Sequence, residues 1–411
     1  MGRVQVILRE RLQSLGYQAR GTRPAAERDL EGIARVLGAE VRENAHGPVL
    51  VLEDLVRTPL GRLPDAREAR LLGLRPEGGT LLRPCFFDTE TTGVSGGAGT
   101  QAFLCALAWP APGGLLLRQY LLADPSLERA MLEEVRADLL DGDGLVTYNG
   151  RSFDCPLLEG RLLMARMAPL PRSLPHLDLL QPARRIFRAR LGGCTLGGVE
   201  SAVLGRDRGP DIPGFLIPET YFAYLRSGDP EPLREVLAHN RQDVVSLSLL
   251  LDHLCGLLGD GLAAAHPLDR FGVARLLDAA GAGEPALALY AGLWAESDCW
   301  AGEVWPGPWS PVELAYVTGL RLAVALRRAG RRESAVPILE ALWRRHPQPL
   351  EAGIMLAKHL EHHRRDRPAA LQLVGAALDA VEARPSRDRR EERFFDDLVR
   401  RRARLARLVG P

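Results

Sequence analysis

Lysine is all but absent from this chain. Lys358 is the only one in 411 residues, so 52 of the 53 basic side chains are arginines. Arginine suits bidentate phosphate contacts, but a biased genome base composition produces the same skew, so the count alone names no ligand. Net charge names none either, because 53 basic residues face 52 acidic ones. Clustered cysteine is also missing. The six cysteines (85, 105, 155, 194, 255 and 299) stand at least 20 residues apart with no C-x-x-C pair, which excludes a zinc ribbon and a compact disulfide framework. The longest uncharged run, residues 91–117, carries six glycines and two prolines and cannot be a membrane helix. The N-terminus has charges at Arg3, Arg9, Glu10 and Arg11 and no apolar signal-peptide core. These absences predict a cytoplasmic protein with reduced thiols and no membrane association.

What is present fits a globular chain of two or three domains, with 46% hydrophobic and 26% charged residues. Residues 1–80 read as a small mixed segment of unassigned role, with an amphipathic start (Val4 to Leu15) and a short strand at Pro48–Leu52. From about residue 81 the pattern changes. Cys85-Phe-Phe87 is a buried run ending in Asp88-Thr-Glu-Thr-Thr-Gly93, followed by a Gly-rich turn (Ser95–Thr100). The apolar runs Ala102–Trp109 and Leu115–Leu122, split by Pro-Ala-Pro-Gly-Gly, predict a hairpin. Ser126 can cap a helix to about Leu140, with Leu127, Met131, Leu132, Val135 and Leu139 on its apolar face. Leu145–Tyr148 reads as a buried strand, a helix starts near Ser152, and Leu177–Leu180 is a further strand. A three-strand meander followed by alternating helices and strands predicts a mixed α/β sheet with helices on its faces.

After about Leu258 the pattern is all helical. Gly319-Leu-Arg-Leu-Ala323 aligns with Gly353-Ile-Met-Leu-Ala357, Leu326 with Leu360, Ala335 with Ala369 and Leu339 with Leu373. Every pair is 34 residues apart, the period of a tetratricopeptide (TPR) helix pair. Phe271–Ala280 and Ala286–Trp294 form an earlier pair, set off by an insertion carrying Trp300, Trp305 and Trp309. Generic packing of Ala/Leu-rich helices is the alternative. Stacked units of this kind present a concave surface to partners.

Three acidic elements carry candidate chemistry. Asp88 and Glu90, two apart on a strand, share one sheet face, where two like charges are costly unless a cation binds them. In Tyr148-Asn-Gly-Arg-Ser-Phe-Asp154, a strand enters a turn and Asp154 falls in the first turn of a helix. There it can serve as a capping charge, and Asn149 as a turn residue. In His239-Asn-Arg-Gln-Asp243, His239 and Asp243 lie one helical turn apart on one face.

Together, the order Asp-x-Glu, Asn-Gly-x-x-Phe-Asp, and an aromatic residue four before an Asp resembles the DEDD exonuclease superfamily on the ribonuclease-H-like fold, over roughly residues 81–257. With the phrases His176-Leu-Asp-Leu-Leu180 and Asp211-Ile-Pro-Gly-Phe-Leu-Ile-Pro218 and the helical repeats behind them, the chain is similar to the YprB-like group of bacterial proteins. The resemblance implies an RNase-H-like nuclease domain at 81–257, a TPR-like domain at 258–411, and a metal-dependent 3′-to-5′ exonuclease. Two Mg²⁺ or Mn²⁺ ions about 4 Å apart would activate water and stabilise the leaving oxygen. They would be held by Asp88, Glu90, Asp154 and Asp243, with Asp88 bridging both. His239 would act as general base, and Thr91, Thr92, Gly93 and Asn149 would hold substrate. One departure matters. The histidine branch of the superfamily places its base five before the last Asp, where this chain has Ala238. His239 stands at the spacing of the tyrosine branch, and a phenol and an imidazole differ by more than about three pKa units.

Two basic segments also bear on substrate. Arg184-Arg-Ile-Phe-Arg188-Ala-Arg190 can grip phosphates through Arg184, Arg185 and Arg188 and stack a base on Phe187, or it can be a helix with a solvated basic face. The tail Arg384–Arg407 holds ten arginines against five acids, and its interleaved signs suit a solvated terminal helix. The expected partners are nucleic acid, DNA or RNA, and a protein on the repeats. The alternatives are a non-catalytic nucleic-acid-binding or scaffold protein on the same fold, and a structure-specific endonuclease.

Overall fold

The computed structural model describes residues 28–58, 61–74, 81–93, 99–259, 262, 265–300, 302–305, 307–345, 350–382 and 389–409. The amphipathic start at Val4–Leu15, most of the Gly-rich turn after Gly93, and Arg384 and Arg387 of the basic tail lie outside these residues. The chain forms two compact units. One comprises the residues up to Arg184 together with Gly193–Ala263, and the other comprises Arg185–Gly192 with Ala264–Pro411.

The first unit is built on a seven-stranded mixed sheet. Its strands are β1 (Glu40–Asn44), β2 (Gly47–Val56), β3 (Cys85–Thr91), β4 (Ala102–Ala111), β5 (Gly114–Leu121), β6 (Leu145–Thr147) and β7 (His176–Asp178). They lie in the order β1-β2-β5-β4-β3-β6-β7. β3, β4 and β5 form the antiparallel meander, closed at Ala111↔Gly114 by a two-residue turn in which Gly113 takes φ 88°. β6 and β7 add in parallel on the far side of β3. The sheet reaches further toward the N-terminus than a separate 1–80 segment would suggest. β2 pairs with β5 from Leu50↔Leu121 to Val56↔Leu115, and β1 pairs with β2. Val49, Leu50 and Val51 are buried, so this segment completes the core rather than standing beside it.

Helices cover both faces. α1 (Leu30–Leu37) and α2 (Ala66–Leu72) precede β1 and β3; α3 (Glu128–Asp141) follows β5 and α4 (Asp154–Met164) follows β6. α3 buries Met131, Leu132, Val135 and Leu139. Its approach is capped by Asp124, not Ser126: the Asp124 carboxylate accepts the Ser126 N–H at 2.9 Å and the Ser126 hydroxyl at 2.7 Å, and a short 3₁₀ turn intervenes. Tyr120 points to this side of the sheet and bonds Asp138 of α3. After β7 come α5 (Leu180–Leu191), α6 (Leu196–Ala202), α7 (Ile217–Ser227) and the 26-residue α8 (Leu233–Leu258). α8 packs along β3 and β4, where Val244, Leu247, Leu250 and Leu251 are buried.

The second unit is helical: α9 (Pro267–Ala279), α10 (Gly283–Glu296), α11 (Pro311–Arg328), α12 (Arg332–Arg345), α13 (Leu350–His359), α14 (Arg367–Glu382) and α15 (Arg389–Val409), each packed on the next. The two glycines aligned by the 34-residue period occupy equivalent tight contacts. A Cβ on Gly319 would lie 2.7 Å from the Trp294 ring of α10, and one on Gly353 2.5 Å from the Trp343 ring of α12. Each glycine therefore lets the first helix of a pair approach an indole on the second helix of the pair before it. No described helix is long and apolar enough to cross a membrane. All six cysteines are free thiols.

Candidate functional site

The site forms where β3 ends. Alternation puts Asp88 and Glu90 on the face covered by α8 and Thr89 on the other. Asp88 lies opposite Ala106 of β4, which lies opposite Gln119 of β5. Gln119 Nε2 donates to the Leu237 carbonyl (2.9 Å) and to Asn240 Oδ1 (3.0 Å), and Asn240 Nδ2 donates to Asp88 Oδ2 (2.8 Å). This amide relay, with Asn240 fully buried, docks α8 on the sheet and fixes the Asp88 carboxylate. Just past Glu90 the register with β4 slips by one residue, since Glu90 faces Leu104 and Thr91 faces Ala102. Such a bulge redirects side chains beside a site.

Asp154 comes from the neighbouring loop. β6 pairs with β3 only at Cys85 and Phe86, so β3 has no strand partner on that side at Thr89. Asp154, the first residue of α4, fills the gap: its carboxylate accepts the Thr89 hydroxyl at 2.5 Å. The turn that delivers it is tied down by the buried Asp178 of β7, which accepts the N–H groups of Asn149 (2.8 Å), Arg151 (3.1 Å) and Leu180 (3.1 Å). Asn149 is exposed at φ 69°, a left-handed conformation that asparagine tolerates.

His239 and Asp243 project from one face of α8. His239 Nε2 lies 3.7 Å from Asp243 Oδ2 and 3.9 Å from Glu90 Oε1, while Nδ1 lies 2.8 and 2.9 Å from the two oxygens of Asp211. An ionised Asp211 places the imidazole proton on Nδ1 and leaves the Nε2 lone pair facing the acids. Ligand atoms of Glu90, His239 and Asp243 lie within 4.8 Å of one another. A cavity of about 300 Å³ opens beside them, lined by Arg208, Asp211, His239, Arg241 and Gln242 among others.

Electrostatically the site is short of positive charge. Burial, then the charges of Asp243, Asp154 and Glu90, drive Asp88 well above the usual carboxylate range against the Asn240 hydrogen bond. Burial and the charges of Asp243, Asp154 and Asp211 do the same to Glu90. Burial pushes Asp154 up to about 6 despite its bond from Thr89, and it raises Asp243 despite Arg208 and His239. Asp211 moves the other way: burial is outweighed by His239 and Arg208, which hold it below the ordinary value. Four crowded carboxylates and one imidazole form a donor set that fits a hard or borderline divalent cation such as Mg²⁺ or Mn²⁺.

Comparison with known proteins gives this geometry a family. The RNase_H superfamily profile matches residues 85–255, a span that contains all five of these side chains. The chain is also 33% identical over 298 residues to "Uncharacterized protein YprB" of Bacillus subtilis (strain 168), covering 71% of this chain and 68% of that one. The chain belongs to the YprB family. In this YprB-family protein, Asp88, Glu90, Asp154, His239 and Asp243 gather at the end of β3, while the other expected residues are placed differently. The Thr91 hydroxyl is turned to the Gly93 carbonyl (2.8 Å), and that of Thr92 accepts the Gln101 N–H (2.9 Å), so both side chains shape their own turn. Arg184, Arg185 and Arg188 are exposed on α5, with no ion pair among the described residues. Phe187 is fully buried, so it cannot stack a nucleotide base. Sequence reasoning missed Gln119, Asn240, Arg208 and Asp211. Asp211 heads the phrase Asp211–Pro218 and Asn240 follows His239; Gln119 and Arg208 carry no local signal.

Proposed function

We propose that this chain is a metal-dependent nuclease that hydrolyses phosphodiester bonds at the end of β3, as a 3′-to-5′ exonuclease. The observation that carries this reading is the convergence of Glu90, His239 and Asp243 within 4.8 Å, beside Asp88 and Asp154, in an RNase_H-superfamily domain. Asp88, Glu90, Asp154 and Asp243 would hold two Mg²⁺ or Mn²⁺ ions, which when bound supply an activated water and stabilise charge on the leaving oxygen. His239, oriented by Asp211, takes the proton of the attacking water on Nε2. The relay from Gln119 through Asn240 holds Asp88 in place, and Asp178 holds the turn that presents Asp154. The segment Thr91-Thr92-Gly93 beside Glu90 and the exposed side chain of Asn149 would hold the terminal nucleotide, and the exposed Arg184, Arg185 and Arg188 would offer charge to its phosphates. The helices after residue 258 are read as TPR-like repeats that recruit a partner or substrate. Their support is the 34-residue period and the matched packing of Gly319 and Gly353 on tryptophans.

One observation favours a second reading. Arg208 contacts Asp243 at 2.5 Å and partly neutralises the acids without any ion, as a non-catalytic nucleic-acid-binding scaffold would permit. The deciding experiment incubates 5′-labelled single-stranded DNA and RNA of one sequence with Mn²⁺, Mg²⁺ or EDTA, using wild type and Asp88→Asn. The nuclease reading expects metal-dependent shortening from the 3′ end that is lost in the variant. Internal cuts would make the enzyme an endonuclease. Intact substrate in every lane, with no metal bound by the wild type, would leave the scaffold.

A further inference from the structure

Arg208 is fixed before it reaches the acidic centre. Its Nε bonds Glu200, a wholly buried carboxylate that also accepts Ser246 Oγ and, at 3.4 Å, Gln242 Nε2. Nη1 lies 3.4 Å from Asp211 Oδ2, and Nη2 lies 2.5 Å from Asp243 Oδ1. The Glu200 and Asp243 contacts differ in kind. The first is a hydrogen bond inside a connected network. The second is a close ion pair between two buried atoms that have no other hydrogen-bond partner among the described residues. Arg208 takes only Oδ1 of Asp243; Oδ2 lies 3.7 Å from His239 Nε2.

We propose that Arg208 is an internal competitor of the divalent cation, which holds Asp243 in the metal-free protein and sets the metal concentration at which the site fills. The proposal rests on the reading of this centre as a metal site. A fixed unit charge on a ligand of a divalent ion repels that ion, and in a buried site the repulsion is weakly screened. A guanidinium cannot relieve it by losing a proton. It can relieve it by moving: Nη2 swings off Asp243 while Nε stays on Glu200, into the cavity of about 300 Å³ that Arg208 lines. Arg208 thus acts through Asp243 as a positioning residue, and its removal has a sign. A group that merely oriented Asp243 would weaken metal binding when lost, whereas a competitor strengthens it.

The test titrates full-length wild type, Arg208→Gln and Arg208→Lys with Mn²⁺, reading free ion by electron paramagnetic resonance. Arg208→Gln is expected to bind its first Mn²⁺ roughly tenfold or more tightly than wild type, and Arg208→Lys, which keeps the charge, to stay close to wild type. Equal or weaker binding by Arg208→Gln overturns the proposal. Because that variant leaves Glu200 buried without its partner, a second measurement uses wild type alone. In a Mn²⁺-soaked crystal, Nη2 should stand beyond about 4 Å from Asp243, the limit of an ion pair; an intact pair beside a bound ion overturns the proposal. If none of the three proteins binds Mn²⁺, both this proposal and the metal-centre reading fail. If wild type binds Mn²⁺ and cleaves substrate while Arg208→Gln binds it unchanged, only the role of Arg208 falls.

Discussion

Both compact units bury carboxylates, but they compensate them differently. In the helical unit, Asp269 receives a two-pronged contact from Arg190 at 3.0 and 2.8 Å, and Glu361 is held by Arg401 and Arg404, each at 2.5 Å. Structural acids of the sheet unit follow the same rule, Asp124 with Arg28 at 2.9 Å and Glu200 with Arg208. At the end of β3, Asp88, Glu90, Asp154 and Asp243 crowd together, and Arg208 touches only Asp243. A chain with 52 arginines does not lack counter-charge. Buried charge is costly without a partner, so a place where, among the described residues, three of four crowded acids have no arginine and the fourth shares one with Glu200 is where a cation from solution would fit. The contrast separates acids that hold the fold from acids that we propose hold a metal.

Three substitutions or conditions can break that contrast, and the largest effect is on activity. Asp88→Asn should reduce metal-dependent cleavage by about a thousandfold or more, yet the metal-free variant should melt no lower than wild type, because it removes a buried carboxyl whose ionisation the site disfavours. A clear drop in its melting temperature would mean that Asp88 is structural. Glu361→Ala should behave in the opposite way. Removing the shared partner of Arg401, which is itself buried, should cost about 3–5 kcal/mol in urea unfolding and leave Mn²⁺ binding intact; a loss under about 1 kcal/mol would erase the distinction.

The smallest effect is on pH dependence. Ordinary carboxyls titrate near 4, Asp154 is pushed up to about 6, and Asp88 and Glu90 are driven well above their usual range. Between the unfolded and folded values the folded protein binds more protons. The stability of the metal-free protein should therefore fall as pH rises from about 4 through 6 and beyond, on account of this cluster. Saturating Mn²⁺, which replaces those protons, should flatten the slope and add about 2.7 kcal/mol at 100 times its dissociation constant. Unfolding curves across the window, with and without Mn²⁺, check this; a cluster contribution that grows with pH in the metal-free protein would contradict it.

Much of the site is legible in the sequence because local periods carry it. A period of two puts Asp88 and Glu90 on one face of β3, and a four-residue step puts His239 and Asp243 on one face of α8. The mixed sheet follows from the hairpin signal at Pro112-Gly113 and the alternation after it. What is not legible depends on contacts distant in sequence. Gln119 meets Asn240 across 121 positions, and Asn240 meets Asp88 across 152. The pairing of β2 with β5 is likewise a tertiary choice, so the segment before residue 81 reads as separate until the sheet is seen. Phe187 looks like a stacking residue because arginines flank it, but helical geometry turns it inward. Thr91 and Thr92 follow Glu90, but the contacts of their hydroxyls with the Gly93 carbonyl and the Gln101 N–H cannot be read from that spacing.

The most direct test of the account is anomalous diffraction from a crystal of the wild-type protein soaked in Mn²⁺. The account predicts density for the ion within coordination distance of Glu90 and Asp243, with Asp88 among its ligands and no equivalent density beside Glu361 or Asp269. A soaked crystal with no ion at the end of β3, at a concentration where other exposed acids are decorated, would contradict it.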